Sequence, residues 1–206
     1  MRFRWLVAVA LCALGALTLT GCDSKIGTAA EVNGSKISES DVARYLDPAA
    51  ESASQARNLA LQYQIREKLF NTALQRKHAV PSDADLRQLH DVAVSNLLGQ
   101  QLSGADADQK LHAAMAQNGL KESFADVLTR SFELELYYAK QINANQESAV
   151  ISDLDKQKIP VQVNPRFGSW DTSTFAFTGL GSKQLPSVVT LNGNPLPGDA
   201  KATTSQ

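Results

Sequence analysis

The chain has 206 residues, of which 43% are hydrophobic and 20% charged, and its formal net charge is −1. This length is enough for one ordinary domain with tails, and it is well above the size at which a hydrophobic core becomes marginal. Because no run of basic residues with interleaved aromatics occurs, the sequence lacks the footprint of a nucleic-acid-binding protein. We therefore expect one folded unit that does not bind nucleic acid.

Residues 1–21 have the pattern of a secretory signal peptide. Arg2 and Arg4 precede an almost wholly apolar run from Trp5 to Leu19. A transmembrane helix needs about 20 apolar residues, and this run is shorter and is not followed by a basic stop-transfer cluster. The pattern predicts a segment that is removed and does not stay in the membrane.

The signal ends in Leu19-Thr20-Gly21-Cys22, which resembles the bacterial lipobox. The resemblance implies cleavage between Gly21 and Cys22 and a lipid on the Cys22 sulfur, which anchors the protein to the outer face of the cell membrane. An ordinary secretory signal with a chance cysteine is the alternative. Cys12 is lost with the signal, so we expect no disulfide in the mature chain. Loss of Arg2 and Arg4 makes the charge −3, and without a polybasic patch the attachment depends on the lipid.

The mature chain begins with a predicted β-hairpin. Asn33-Gly34 lies between segments that end at Val32 and begin near Ile37, and it is the strongest short-range hairpin signal. Ser38–Asp41 then predicts a capped helix that ends near Asp47-Pro48.

Apolar residues at helical spacing predict four further helices, over 52–78, 82–98, 105–118 and 122–143. Asn118-Gly119 is a typical end for the third of these helices. The fourth is apolar on more than one face, so it is either packed on two sides or partly exposed as a binding surface. Residues 148–158 favour one or two more helical turns.

The last part of the chain changes composition. Alternating apolar and polar residues predict a strand near 160–165, and the domain is expected to span 29–171 after a lipidated linker at 22–28. Residues 172–206 are rich in Ser, Thr, Gly and Pro, which is typical of a mostly flexible tail. Within that tail, Leu185–Leu191 favours a short strand.

The sequence gives no sign of catalytic chemistry. His78, His90 and His112 are far apart and lack a cysteine partner, so we expect no metal site. No Gly-x-Ser-x-Gly elbow and no phosphate-binding glycine loop occurs, and we expect no catalytic residue and no cofactor.

Four aromatic residues of the last long helix have two interpretations: they are core residues of a helical bundle, or they line an apolar groove that binds peptides. They are Phe124, Phe132, Tyr137 and Tyr138.

The order of these elements resembles the N-terminal domain of the SurA/PrsA family of extracytoplasmic chaperones. The resemblance covers about residues 29–145: the Val32-Asn33-Gly34 hairpin, Ile37–Val42, a long helix, Val80–Asp83, and a helical hairpin ending in an aromatic helix. In that family a strand from the C-terminal end returns to the hairpin, and Val161–Asp171 resembles that segment. The fold class expected is mainly α, a SurA N-terminal-like helical domain with a small β element formed by the hairpin and the returning strand.

SurA and PrsA also carry parvulin prolyl isomerase domains between the helical part and the closing strand, and we expect none here. The stretch from Asn143 to Val161 is shorter than the about 50 residues that a small domain needs, and no Gly-Gly-Asp-Leu-Gly segment occurs. The resemblance implies a membrane-anchored chaperone that binds unfolded or exported polypeptides through an apolar helical groove, without isomerase activity. The alternatives are a lipoprotein scaffold that binds one dedicated envelope partner and a divergent prolyl isomerase.

Overall fold

The computed structural model describes residues 27–49 and 53–178. The signal peptide, the Gly21-Cys22 cleavage and lipidation site, and the Leu185–Leu191 segment lie outside the described residues, so those inferences stay predictions. None of the helices in the two described ranges has the length and apolarity needed to cross a membrane.

Helices make up most of the described chain, and a three-stranded and a two-stranded antiparallel sheet complete it. The strands are β1 (Thr28–Val32), β2 (Ser35–Ser38), β3 (Val161–Val163), β4 (Ser169–Asp171) and β5 (Ala176–Thr178). The helices are α1 (Glu39–Ala43), α2 (Ala53–Arg76), α3 (Asp83–Arg87), α4 (His90–Leu98), α5 (Gly104–Gln117), α6 (Ala125–Gln141) and α7 (Glu147–Gln157). Short 3-10 helices span Glu122–Phe124 and Pro165–Phe167. The mainly helical class with a small sheet is confirmed.

The hairpin predicted at Asn33-Gly34 is confirmed. These two residues join the antiparallel strands β1 and β2, and both have positive φ, 48° and 84°, which such a two-residue loop requires. β3 pairs antiparallel with the other side of β1, with Ala30 opposite Val163. The sheet order is therefore β2-β1-β3, and the C-terminal part of the chain returns to the N-terminal hairpin.

Two helices begin where serine caps predict. Ser38 Oγ accepts a hydrogen bond from Asp41 N at 3.0 Å, and the Asp41 carboxylate accepts one from Ser38 N. Ser82 and Asp85 repeat the arrangement at the start of α3. Each capping box satisfies backbone N–H groups that the first helical turn leaves unpaired. The first of these helices, α1, ends at Ala43, which is earlier than expected.

The helix predicted over 82–98 is two helices. The break falls at Gln88-Leu89, where Leu89 N donates to Leu86 O at 2.9 Å in a tight turn. Leu86 and Leu89 are both buried, and α3 and α4 both pack against α6. The turn therefore lets both leucines enter the core, which a sequence pattern does not reveal. The helix after α6, α7, is also longer than one or two turns.

The domain was expected to end at residue 171, but its packed part continues to residue 178. β5 pairs with β4, and Phe175 and Phe177 are buried. The Phe175 ring centroid lies 5.6 Å from that of Phe70 on α2. Residues 172–178 therefore belong to the domain and not to the tail, because a few apolar side chains in a Ser- and Thr-rich stretch anchor it.

The centre of the core is α6, which packs against α2, α3, α4 and α5. Buried side chains lie on all of its faces, including Leu128, Phe132 and Leu136. The sequence left two explanations for the apolar faces of this helix, packing on two sides or exposure as a binding surface. The structure agrees with the first, because other helices pack on more than one side of α6.

A buried ion pair joins α6 to α2. Arg66 Nη2 donates to Glu135 Oε2, and the two side chains are 3% and 1% exposed. Aromatic rings of Tyr63, Phe132 and Phe175 lie 4.9 to 5.4 Å from the guanidinium carbon. Burial raises the pKa of Glu135, and Arg66 beside it opposes this shift. Arg66 Nε and Glu135 Oε1 have no hydrogen-bond partner among the described residues.

We expect Arg66→Ala to destabilise the protein by about 3–5 kcal/mol, because it leaves the Glu135 carboxylate buried without a partner. The double variant Arg66→Met/Glu135→Leu should recover most of this loss, since it removes both charges and keeps volume. Guanidinium unfolding followed by circular dichroism measures both values. A loss below about 1 kcal/mol in Arg66→Ala would contradict the assignment.

Candidate functional site

Three of the four aromatic residues predicted to line a groove are core residues. Phe124 and Tyr138 are 0% exposed and Phe132 is 1% exposed, while Tyr137 is partly buried. The Phe132 ring centroid lies 5.7 Å from that of Tyr63 on α2. The prediction that these rings line an open groove is therefore wrong for Phe124, Phe132 and Tyr138, because neighbouring elements cover them.

The hydroxyl of Tyr138 links three parts of the fold. It donates to Asp153 on α7, and Gln157 Nε2 donates to it at 2.6 Å. Lys77, which follows α2, lies 2.9 Å from the same Asp153 carboxylate. Burial raises the pKa of Tyr138, and the hydrogen bond from Tyr138 lowers the pKa of Asp153. These shifts keep the Tyr138 hydroxyl neutral and the Asp153 carboxylate ionised, so the hydrogen bond between them is maintained. We therefore give Tyr138 a structural role.

His90 lies between two carboxylates from different helices. Its Nδ1 is 3.1 Å from Glu133 Oε1 on α6, and its Nε2 is 3.0 Å from Asp108 Oδ1 on α5. Burial alone lowers the pKa of His90, but the hydrogen bonds to Asp108 and Glu133 outweigh it and raise the pKa overall. In residues 27–49 and 53–178 no group of three or more His, Cys, Asp or Glu side chains is placed to hold a metal ion. The imidazole instead connects α4, α5 and α6.

An open groove of about 520 Å³ runs beside β3, within the roughly 300–1,000 Å³ typical of ligand pockets. Its lining contains apolar, small and hydroxyl side chains and no ionisable one: Val161, Val163, Pro165, Gly168, Ser169, Trp170 and Thr178. Such a lining offers both apolar contacts and hydrogen-bonding groups, without a side chain for acid–base chemistry. The hydroxyl groups of Ser169 and Thr178 and the backbone are its hydrogen-bonding groups.

The backbone of β3 presents hydrogen-bonding groups away from β1. Asn33 N donates to Pro160 O and Asn164 N donates to Ala29 O, each at 2.9 Å, so these two positions of the β3 segment face β1. Backbone groups of successive strand residues point to opposite edges. The N–H and C=O groups of Val161 and Val163 therefore point to the outer edge, with which no strand of the described chain pairs.

The turn after β3 is tied to the N-terminal hairpin. Asn164 Oδ1 accepts a hydrogen bond from Arg166 N, and its Nδ2 donates to Thr28 O, both at 3.2 Å. Arg166 forms an ion pair with Glu39, and the Phe167 side chain is buried. These contacts fix the end of β3 and the position at which the chain turns.

Gly168 and the β4–β5 hairpin form the far wall of the groove. Gly168 has φ 94° and ψ −160°, a conformation that is essentially restricted to glycine. Beyond it, the Trp170 ring packs edge-on against Phe177 with centroids 5.6 Å apart. Trp170 Nε1 is buried and has no hydrogen-bond partner among the described residues. The Trp170 side chain thus lines the groove beside β3 and packs on β5.

The sequence predicts that Val161–Asp171 closes the domain, and its pattern does not predict this groove. A signal was present, because Pro160 and Pro165 bracket the short strand, and proline in a sheet is confined largely to edge strands and strand starts. The groove itself is formed by segments that meet only after the chain turns at Gly168.

We expect Gly168→Asn to cost about 1–3 kcal/mol, because asparagine is strained in this backbone conformation. Gly99 is the matched control: its φ of 64° and ψ of 26° are left-handed helical, and no atom lies within 4 Å of the position that a Cβ would take. Gly99→Asn should therefore be nearly neutral, since asparagine visits this region. Denaturant unfolding measures both variants. Equal losses would show that Gly168 is not conformationally required.

We expect His90 to stabilise the fold in acid. Its pKa is raised in the folded protein, so the stabilisation is full below the unfolded pKa of about 6.5 and is lost as the pH rises through the folded value. The side chain is 35% exposed, so solvent screening limits the effect to at most about 1 kcal/mol. The loss caused by His90→Gln should be larger at pH 6 than at pH 8.5, and a pH-independent loss would contradict this.

No protein-family model, no curated protein and no solved structure matches this chain. The likeness to the SurA/PrsA family therefore depends on the order of its short motifs and elements, and it enters below as part of a proposal.

Proposed function

We propose that this protein is a lipid-anchored extracytoplasmic chaperone that binds extended, apolar stretches of unfolded exported polypeptides and has no isomerase activity. The observation that carries the proposal is the groove beside the unpaired edge of β3, with its uncharged lining and outward N–H and C=O groups on Val161 and Val163. A client segment would add a strand to this edge.

Strand addition fits a protein with many clients. Hydrogen bonds between backbones give affinity that does not depend on client sequence, while pockets for alternate side chains give a preference for apolar residues. Each hydrogen bond contributes only about 0.5–1.5 kcal/mol net, and association costs several kcal/mol of lost freedom. An edge of three residues therefore binds weakly and releases its client without a nucleotide.

The family resemblance supports the same function. The strand that returns to the N-terminal hairpin is β3, and it pairs with β1 as the SurA/PrsA resemblance implies. Between the long aromatic helix and this strand the chain holds only α7 and short connections, which leaves no room for a parvulin domain of about 50 residues or more. We therefore propose chaperone activity in the absence of prolyl isomerase activity.

The lipobox supports the proposed location. Thr28, the first residue of β1, lies six positions after Cys22, and an extended chain of that length spans at most about 20 Å. A lipid on Cys22 would thus hold the sheet, and the groove with it, close to the outer face of the cell membrane.

Binding is tested with residues 23–206, which retain every described residue. Trp170 is the sole tryptophan of this fragment, since the other of the 2 in the chain is Trp5, so its fluorescence reports on the groove. The probe is a nine-residue peptide in which valine alternates with threonine. We expect saturable binding that changes the Trp170 emission.

Two N-methylated forms of the same peptide test the mode of binding. One carries methyl groups on the valine nitrogens and the other on the threonine nitrogens, so only one of them blocks the edge that faces β3. We expect one form to bind at least about tenfold more weakly and the other to bind like the parent peptide, because alternate N–H groups point to opposite edges. Equal binding of all three peptides would contradict strand addition.

Chaperone activity is tested by light scattering of a reduced, denatured protein in the presence of residues 23–206. We expect Val163→Asp to lose most of the suppression of aggregation, because it places a charge in the uncharged groove. Val80→Asp is the matched control, since Val80 is 62% exposed and lies outside the groove. Circular dichroism checks that both variants are folded.

Four results would contradict the proposed function. If residues 23–206 do not suppress aggregation, or if Val163→Asp and Val80→Asp act alike, the groove does not bind clients. A single stoichiometric partner in cellular crosslinking would favour the scaffold function. Turnover in a peptide isomerisation assay would favour a divergent isomerase.

A further inference from the structure

We propose that the N-terminal half of α5, residues 104–111, is a cover that opens as the pH rises, because the hydrogen bond between Asp108 and His90 on α4 is lost with one proton. Opening exposes Ala107, Leu111 and the surfaces of α4 and α6 that this half of the helix covers. Neither the groove beside β3 nor client binding takes part in it.

The C-terminal end of α5 is fixed by backbone contacts. Leu120 N donates to Met115 O at 3.0 Å, and Leu120 forms an antiparallel bridge with Leu46. Asp47 N donates to Gly119 O, also at 3.0 Å. These contacts tie the end of the helix to the segment that follows α1. An opening of the other end would therefore pivot near Gly119.

The N-terminal half of α5 is held by a narrow contact. Its buried residues are Ala107 and Leu111, and an alanine side chain buries little apolar surface. Its link to α4 includes the contact of Asp108 Oδ1 with His90 Nε2 at 3.0 Å. A segment with few buried apolar side chains opens at a lower free energy than the whole domain unfolds.

The two hydrogen bonds of His90 need two protons. Its Nδ1 lies 3.1 Å from Glu133 Oε1, and its Nε2 lies 3.0 Å from Asp108 Oδ1. An imidazolium between two carboxylates makes both bonds, and so does a neutral imidazole beside a protonated Glu133. When one proton leaves, a nitrogen lone pair faces a carboxylate oxygen across one of the two contacts.

Burial decides which contact is lost. The Glu133 side chain is 10% exposed, whereas that of Asp108 is 54% exposed. A buried carboxylate without a donor costs more free energy than an exposed one, which water can solvate. The remaining proton therefore stays between His90 and Glu133, and the Asp108 carboxylate turns to solvent. α4 keeps its contact with α6 and loses its contact with α5.

The direction of the pH effect follows from the same contacts. Hydrogen bonds to Asp108 and Glu133 raise the pKa of His90 in the folded protein. Both bonds are therefore present below the unfolded pKa of about 6.5, and the bond to Asp108 is lost as the pH rises through the folded value. The cover is closed in mild acid and opens in alkali.

The other charged groups around these contacts have partners of their own. Asp91 on α4 accepts a hydrogen bond from Gly104 N at 3.0 Å. Arg130 on α6 lies 3.8 Å from Asp83 at the start of α3. Arg130 lowers the pKa of Glu133 and Asp126 raises it, and burial raises it more than either.

Labelling of a thiol introduced beneath the cover tests the opening. Residues 23–206 contain no cysteine, since the 2 in the chain are Cys12 and Cys22. Ala107→Cys places a thiol under α5, and Ala139→Cys on α6 is the matched control, because both alanines are 0% exposed. Each labelling rate is divided by that of an unstructured cysteine peptide at the same pH, which removes the ionisation of the thiol itself.

We expect Ala107→Cys to be labelled at least about tenfold faster than Ala139→Cys, because the first needs only a local opening. Its corrected rate should be about three- to fivefold higher at pH 8.5 than at pH 6, which is the effect of losing one partly exposed hydrogen-bonded pair. In unsubstituted residues 23–206, the protection of the Leu111 amide from hydrogen exchange should fall by the same factor.

Asp108→Asn tests whether the proton acts at this contact. An amide N–H can donate to the unprotonated Nε2 of His90, and the amide oxygen can accept from the protonated one, so the bond exists at both pH values. In the Ala107→Cys background, Asp108→Asn should therefore abolish the rise between pH 6 and pH 8.5. Asp106→Asn is the matched control, since Asp106 is exposed and pairs with Lys110, and it should keep the rise.

Three outcomes would overturn the proposed cover. Labelling of Ala107→Cys no faster than that of Ala139→Cys would mean that α5 does not open by itself. A corrected rate and a Leu111 protection that do not change with pH would mean that no proton controls the opening. An equal rise in Asp108→Asn and Asp106→Asn would place the responsible proton elsewhere. None of these outcomes bears on peptide binding beside β3, which is measured separately.

Discussion

The pairing of β3 with β1 is the contact on which the groove depends, since it brings together the two ends of the domain. The hydrogen bond from Asn164 Nδ2 to Thr28 O spans 136 positions of sequence. Closing a loop of that size costs about 4 kcal/mol in chain entropy beyond a constant. Both cysteines, Cys12 and Cys22, lie outside the described residues, so within these residues the closure is held by the ladder, by Arg166 with Glu39, and by burial of Phe167.

Further contacts hold β3 in place when no ligand is bound. At its start, Arg76 donates to Gln157 O at 2.6 Å and to Asn33 Oδ1 at 2.9 Å, which ties α2 to the hairpin and to the end of α7. A fixed edge loses little freedom on binding, so more of a small interaction energy remains as affinity. An unpaired edge is also a site of aggregation. Its three-residue length and the flanking Pro160 and Pro165 limit that risk, because proline cannot donate to a ladder.

Local signals in the sequence predicted much of this fold, and contacts between distant residues decided the rest. The hairpin at Asn33-Gly34 and the serine caps follow from backbone preferences of single residues, which is why they could be predicted directly. The division of 82–98 into two helices and the burial of Phe132 depend on what packs against them, and periodicity does not contain that information. The groove was missed for a related reason, since the free edge of a strand is defined by which strands do not pair with it.

The predicted anchor site and the groove lie near two strands of one sheet. β1 begins six positions after the predicted lipidated cysteine and pairs directly with β3, so the tether enters the fold next to the candidate binding edge. A three-residue edge gives only a few hydrogen bonds of about 1 kcal/mol each, which by itself corresponds to weak binding. Confinement to the membrane face, where exported chains emerge unfolded, would raise the local concentration enough to offset it. In the proposed function, the occupancy of the groove therefore depends on the local client concentration that the predicted anchor at Cys22 would provide, as well as on the side chains within the groove.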